Sequence, residues 1–352
     1  MDELALDIFR TDDFRATTMT ELVSDQEYVP FELEAMNIFE PVYLRTQTVT
    51  IYSEEGALYH RIPTTERGAP EPVATRRGRV IRQIEGPRLA KRDRVNAGEV
   101  AGLLSPRLPT ADRLMNANEL VAERQNGLID DLKITQEFWY LGGIQGVILD
   151  ADDTSVVANY YEDFNVLPPT PIMFDFDDYL EPQDQGKLRQ MIDAEINTPM
   201  MRALGSRRRR PGMSIHALCG DAFWSQISSS PAYERIMLTD AGRAMLNQTR
   251  LWQSITIGGV TWWHYFGDDD QVLSVASDEA IFFPMGAKDV FKQYFFPGEE
   301  LGRENERAQE LYSVVSPDNR INMNEYVDIY VRSYTLPVCL CPQALTRAKL
   351  AA

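Results

Sequence analysis

The clearest periodic pattern in the chain lies between Thr110 and Leu141, where apolar side chains recur at spacings of three, four or their multiples. Leu114, Ala117, Val121, Leu128, Leu132 and Trp139 define one face, while Asn118, Glu119, Arg124, Asp130, Asp131 and Lys133 cover much of the rest. Thr110 suits the cap, Asp112 the first turn and Gly142-Gly143 the stop, so the spacing predicts an amphipathic helix. From Ala111 to Leu141 it spans roughly 46 Å at about 1.5 Å per residue. A rod of that length calls for an extended neighbour.

The pattern before the helix is broken. Across residues 1–45, Leu4, Leu6, Ile8, Phe9 and Phe14 are followed by a short helix near Thr18 to Val23, then by Tyr28 to Phe31 and Met36 to Phe39. These groups are too separated to form a core of their own, so they predict an arm seated in grooves of the body or of a neighbour. Val49, Ile51 and Tyr52, then Val80, Ile81 and Ile84, predict two strands joined by a long loop through Gly68-Ala69-Pro70-Glu71-Pro72. The result is a projecting hairpin, and a lone hairpin is marginal in water without support from another surface.

After the long helix, Gly146 to Asp150 predicts a strand or turn, and Pro168, Pro169 and Pro171 punctuate the chain. Asp184 to Arg202 predicts a helix whose regular part is limited by Pro199, and Arg207 to Arg210 a linker into a new unit. Ile215 to Leu218 fits a strand, Asp221 a helix cap, and Pro231 to Met245 further helix. Ile255 and Ile257 run into Gly258-Gly259, and Val260, Trp262 and His264 then alternate, which is the strongest hairpin signal in the chain. Another strand is expected at Glu279 to Pro284, and a polar, acidic connection around Glu299 to Glu310. Tyr326 to Pro342 predicts a long edge-like strand after a helix or turn near Asn322.

Composition narrows the class. Of 352 residues, 44% are hydrophobic and 10% aromatic, which argues against global disorder. No apolar run approaches 18 residues, and Met1-Asp2-Glu3 begins no basic leader, so neither a membrane span nor a secretory signal is expected. The net charge of -18 disfavours a surface that wraps nucleic acid throughout. The charge is uneven: from Arg61 to Arg113 there are 12 Lys or Arg against 6 Asp or Glu, a local +6 that leaves -24 elsewhere. An acidic body with a basic extension attracts its own copies. Three cysteines form no closed set of bridges, so a reducing compartment is the simpler expectation.

Candidate chemistry changes little. Cys339 and Cys341 share a strand face without a nearby histidine, and the short spacing of His216 and Cys219 has no second matching pair, so no metal or other cofactor is expected. Asp175, Asp177 and Asp178, like Asp268-Asp269-Asp270, lack the ordered calcium-loop pattern. There is no nucleophile elbow, zinc-protease helix or phosphate-binding loop, and His60, His216 and His264 give few ways to build a general base. Catalysis therefore has no positive case; a hydrolase would need a pocket gathering His216 or His264 with carboxylates. Arg207, Arg208, Arg209 and Arg210 could meet a DNA backbone or acidic protein neighbours, and a non-specific nucleic-acid binder would need them on a continuous positive surface.

Arm, basic hairpin, spine helix, an α/β unit carrying Ile255-Thr256-Ile257-Gly258-Gly259-Val260-Thr261-Trp262, and a late return strand follow one another in a specific order. That order, from the Phe39-Glu40-Pro41-Val42 region to Ser333-Tyr334-Thr335-Leu336-Pro337-Val338, resembles the lambda-like major capsid proteins of tailed bacteriophages, with the HK97-type capsid fold. The resemblance implies an α+β fold with an N-terminal arm (1–45), an extended loop (46–102), a peripheral domain with the spine helix (103–212), an axial domain (213–330) and a C-terminal strand (331–352) returning to the peripheral domain.

It further implies self-assembly into pentamers and hexamers of an icosahedral phage head made in the host cytoplasm. Scaffolding protein, portal and in some cases a decoration protein would be partners, with packaged double-stranded DNA on the inner face. Under this resemblance Arg76, Arg77, Arg79, Arg82, Arg88 and Arg92 are candidates for meeting acidic surfaces of adjacent subunits, and Phe9, Phe14, Phe31 and Phe39 for anchoring the arm. Some relatives crosslink through a lysine and an asparagine. Lys91 is the only lysine in the extended loop and nothing identifies its partner, so no crosslink is expected.

Overall fold

The computed structural model describes residues 32–55, 78–96, 99, 110–176, 186–205, 207, 212–230, 254–265, 274–299, 306–316 and 326–351. The described part of the arm belongs to the body. A short helix α1 (Glu32–Ala35) and strand β1 (Glu40–Tyr43) bring Leu33, Met36, Ile38 and Phe39 into the largest apolar core. The expected hairpin forms from β2 (Thr48–Glu55) and β3 (Gly78–Glu85), antiparallel with Thr48 opposite Glu85. Val49 and Ile51 root its base in that same core, which supplies the support that an isolated pair of strands lacks.

Strand β4 (Leu89–Asn96) follows, and then the long helix α2 (Thr110–Gln145). At about 1.5 Å per residue its 36 residues extend roughly 54 Å. The helix continues through Gly142-Gly143, which were expected to end it. A side chain on Gly143 would meet the Phe39 ring at 3.0 Å, and one on Gly142 the Val147 carbonyl oxygen at 2.8 Å. The two glycines therefore admit close neighbours. Termination falls at Gly146, where φ is +87° and a side chain would lie 2.6 Å from the Tyr161 ring.

Strands β5 (Val147–Leu149) and β6 (Val156–Asn159) form a small hairpin that leads into α3 (Tyr160–Asp163). After β7 (Ile172–Phe174) comes α4 (Lys187–Met191), a π-helical stretch (Ile192–Asn197) and α5 (Thr198–Leu204). Pro199 was expected to limit the regular part of a helix over Asp184 to Arg202, and the helix does run past it with an irregular stretch just before. Proline lacks the N–H that would bond back one turn, and the widened stretch immediately before it accommodates the missing bond.

The central sheet has the order β7-β16-β11-β8-β10-β9. It contains β8 (Ser214–Cys219), β9 (Ser254–Ile257), β10 (Val260–His264), β11 (Glu279–Met285) and β16 (Thr346–Leu350). Both faces are buried, and the period of two shows how. Ala217, Ala280 and Phe282 join Ile192, Ile196, Phe223 and Trp262 in one core, while Leu218, Ile281 and Phe283 join the core that holds Phe39. The β9–β10 turn is Gly258-Gly259 with φ of +65° and +81°, the left-handed pair that a two-residue hairpin requires.

Helix α6 (Asp221–Ser228) follows β8, but Asp221 is its first residue and not its cap. Gly220 occupies the cap position without a side-chain bond, and Ser277 accepts the free N–H groups instead: its hydroxyl takes Ala222 and its carbonyl Phe223.

The expected long C-terminal strand divides. Strand β14 (Tyr326–Ser333) is the middle of the sheet β13-β14-β4, beside β13 (Tyr312–Ser316), while β15 (Thr335–Cys339) is an edge of β1-β12-β15, beside β12 (Phe291–Phe295). Strand β16 then enters the central sheet between β11 and β7. The helix expected over Pro231 to Met245 and the turn near Asn322 lie outside the described residues.

Gly146→Ala forces a left-handed backbone onto a residue with a side chain and drives that side chain into Tyr161. It is expected to lower stability by about 1–3 kcal/mol, read as a shifted urea midpoint at unchanged slope.

Candidate assembly surfaces

The spine helix joins two cores. Val121, Leu128, Ile129 and Leu132 pack with Val95 on β4, Val315 on β13 and Val327, Ile329 and Val331 on β14. Further along, Trp139, Tyr140, Leu141 and Ile144 enter the core shared with the arm and hairpin. Two polar contacts, the first buried and the second partly so, fix the helix against its neighbours: Gln125 Nε2 donates to Ser313 Oγ at 2.8 Å and Gln136 Nε2 to Ser333 Oγ at 3.2 Å.

Strand β4 presents its charges in alternation. On one side Lys91 pairs with Asp131 of the spine, and Arg124 of the spine reaches Asp93 at 3.5 Å. On the other, Arg92 and Arg94 flank Asp328 of β14 at 3.8 and 3.0 Å, and the Arg94 guanidinium lies 3.4 Å from the centre of the Tyr326 ring. Asp328 is the pivot, because its side chain is only 11% exposed between two cations.

Several residues singled out for contacts between copies have partners in their own chain. Phe39 is corrected to a core residue, stacked on Tyr140 at 5.1 Å and edge-on to Phe291 at 5.2 Å, because β1 pairs with β12 and turns it inward. Arg88 reaches Glu299 at 3.7 Å, Arg92 reaches Asp328, and the Arg82 guanidinium lies 5.0 Å from the centre of the Phe164 ring. The Arg207 guanidinium donates to the Leu340 carbonyl at 2.8 Å. Arg79 lies on β3 in register with Glu54. Phe9, Phe14, Phe31, Arg76, Arg77, Arg208, Arg209 and Arg210 lie outside the described residues.

The residue that sequence reasoning passed over is Glu137. It is buried on the spine, and its two carboxylate oxygens accept the N–H groups of Leu33 and Glu34 in α1. The signal was an acid directly before Phe138-Trp139-Tyr140-Leu141, where a solvated face would not be expected.

The arrangement offers little to a hydrolase. His216 is held neutral: Trp263 Nε1 donates to its Nδ1 at 2.8 Å, so Nε2 carries the hydrogen toward Ser214 Oγ at 2.7 Å. Burial pushes its pKa down to about 4. His264 stacks on Trp224 and pairs with Asp221 at 2.8 Å. Neither histidine lines the half-open cleft of ≈ 560 Å³ formed by Tyr161, Glu162, Leu167, Pro168, Arg347 and their neighbours. Leu167 at its rim is 89% exposed. Cys219, Cys339 and Cys341 are buried free thiols, and burial pushes Cys219 and Cys339 well above the ordinary thiol range. Among the described residues no group of His, Cys, Asp and Glu is arranged to hold a metal, and no helix is long and apolar enough to cross a membrane.

Comparison with known proteins gives a family and a fold. The family described as phage major capsid protein E has a model that matches residues 15–350. A crystal structure of a protein assigned as a prophage capsid protein of E. coli CFT073 superimposes with a TM-score of 0.54 at 11% identity, covering 96% of this chain and 99% of that one. The mature capsid of bacteriophage PhiM1 gives 0.52 at 11% identity, covering 93% and 89%. No curated protein matches this sequence. The architecture is the α+β capsid fold of the HK97 type, as the sequence resemblance implied.

Asp328→Asn keeps the shape of the pivot and removes its charge. The thermal midpoint is expected to fall by about 2–4 °C at low ionic strength, with the gap narrowing as salt is added. Equal midpoints at low salt would show that Arg92 and Arg94 gain nothing from the carboxylate.

Proposed function

The chain belongs to the phage major capsid protein E family, and from that premise we propose how copies of it build an icosahedral head. The family match along nearly all of the chain carries the reading: this is a structural protein of the virion capsid. Pentamers and hexamers of identical copies close around double-stranded DNA, with residues 213–330 about the capsomer axes and residues 103–212 with the C-terminal strand at the periphery. The extended loop, 46–102, lies over an adjacent copy.

The physical support is modest and repeated. Each subunit offers non-identical complementary patches, so one small interface, multiplied, gives a closed surface. Arg76, Arg77 and Arg79 meet acidic surfaces of the next copy, each rim pair contributing on the order of 0.2–1 kcal/mol while fixing register. Phe9, Phe14 and Phe31 anchor the arm. Arg208, Arg209 and Arg210 contact DNA or a neighbouring subunit without sequence preference. Scaffolding and portal proteins, and in some heads a decoration protein, complete the assembly in the host cytoplasm.

Electron microscopy of the expressed protein together with its neighbouring phage proteins is expected to show closed shells with fivefold and sixfold capsomers. A chain that stays monomeric at high concentration with those partners present overturns the reading. Reversing the charges of Arg76, Arg77 and Arg79 together should cut the yield of shells, and the size of that loss should depend on salt. Unchanged yield at every ionic strength would remove these residues from the interface.

A further inference from the structure

Residues 33 and 34 are fastened to the spine helix through one carboxylate. Leu33 N–H donates to Glu137 Oε1 at 2.7 Å and Glu34 N–H to Oε2 at 3.3 Å, and the receiving side chain is 3% exposed. Other charges crowd this joint from every element packed there. Helix α1 adds the Glu32 and Glu34 carboxylates, both partly buried. Lys133, one turn earlier on the spine and next to Asp130, faces Glu34. Glu310, on the segment leading into β13, also faces Glu34 and accepts the Tyr43 hydroxyl of β1, while Arg307 lies 5.0 Å from the centre of the Tyr43 ring. Tyr140 feels Glu34, Glu137 and Glu310 from one turn further along the spine. Glu34 thus stands between the attraction of Lys133 and the repulsion of Glu310, and it repels Glu137 in turn.

We propose that Glu34 and Glu137 form a proton-operated latch, which holds residues 32–44 on the spine helix while the pair carries a proton and loosens them once both carboxylates are ionised. Burial drives Glu137 up to about 7, against the two N–H bonds that favour its charged form, with Glu34 and Glu32 adding repulsion. Burial likewise drives Glu34 up to about 7, opposed by Lys133 and reinforced by Glu310. The Glu34 carboxylate, itself pushed up by burial and Glu310, is one of the charges that raise Glu137, so the protonation of the two is linked.

The sign follows from linkage. Both groups titrate near 7 when docked, against an ordinary value of 4.5, so between those limits the docked segment binds more protons than the released one. Docking is fully supported below the ordinary value and loses that support as pH rises through about 7. The segment continues into residues 1–31, which carry Phe9, Phe14 and Phe31, so the latch would set how firmly the arm's root is held. It depends only on contacts within one chain and stands whether or not the proposed capsomers form.

Hydrogen exchange of the full chain, corrected for the intrinsic pH dependence of exchange and followed in a single assembly state, reads the latch directly. Protection of residues 32–44 is expected to fall severalfold between pH about 6 and about 8, while β11 stays constant as the folding control. The paired variant Glu34→Gln with Glu137→Gln should abolish that fall. Two single variants move the midpoint in opposite directions: Glu310→Gln removes a repelling charge and lowers it, and Lys133→Met removes the attracting charge and raises it. These shifts would not arise from a merely structural role. Equal protection of wild type at both pH values, or midpoints unmoved by Glu310→Gln and Lys133→Met, overturns the proposal. Loss of β11 protection in the paired variant transfers the decision to the two single variants.

Discussion

One rigid helix is packed into two separate cores at once, and most of the structure answers to that constraint. Val121, Leu128 and Leu132 commit the middle of the spine to the sheet β13-β14-β4, and Trp139 and Ile144 commit its last part to the core of the arm and hairpin. Rotating the helix to improve one contact would misplace the other by the same angle. The Gln125–Ser313 and Gln136–Ser333 bonds oppose such rotation, above all the first, because its buried amide turned away from the hydroxyl would lose its partner. The helix therefore sets the distance between two parts of the subunit as a strut would.

The elements that grip this strut arrive from remote parts of the sequence. Strand β4 meets β14 across more than two hundred residues, β1 meets β12 in parallel, and β16 closes the central sheet from the C-terminal end. Such pairings are slow to form because loop closure is opposed by entropy until the distant contacts are made. Their product is a subunit whose arm root, hairpin base and spine are mutually dependent, and the Glu137 carboxylate sits at the junction where the arm root joins.

What could be read in the sequence followed from local periodicity. The spine obeyed a 3.6-residue pattern, and Gly258-Gly259 announced its turn because few other residues accept two successive positive φ values. Strand β4 was illegible for the opposite reason. In Leu-Ala-Lys-Arg-Asp-Arg-Val-Asn the alternating partners are charges supplied by Asp131, Arg124 and Asp328, so no apolar rhythm marks the strand. Gly142-Gly143 misled because glycine serves both to end a helix and to let a ring such as Phe39 lie close, and only the tertiary neighbour separates the two uses. Among candidate contacts, the sequence supplied the basic residues but not their partners. Arg88 and Arg92 face acids brought by Glu299 and Asp328 of the same chain, and Glu137 looked like one more acid on a helix with many.

That redistribution changes the electrostatic case for assembly. With Arg88, Arg92, Arg94 and Lys91 already facing carboxylates of their own chain, the positive charge around the hairpin is smaller than the local count of +6 suggests. The whole subunit carries -18, so copies repel at long range, although salt confines that repulsion to about 8 Å at physiological ionic strength. In the proposed assembly, attraction between copies would then rest more on apolar area buried at contact than on net charge. The remaining basic side chains of that assembly would select which face meets which, because a wrong pairing of like charges costs more than a correct rim pair gains. A subunit that is acidic overall, rigid along its spine and basic in one limited region would therefore favour one register of contact and resist indiscriminate clustering.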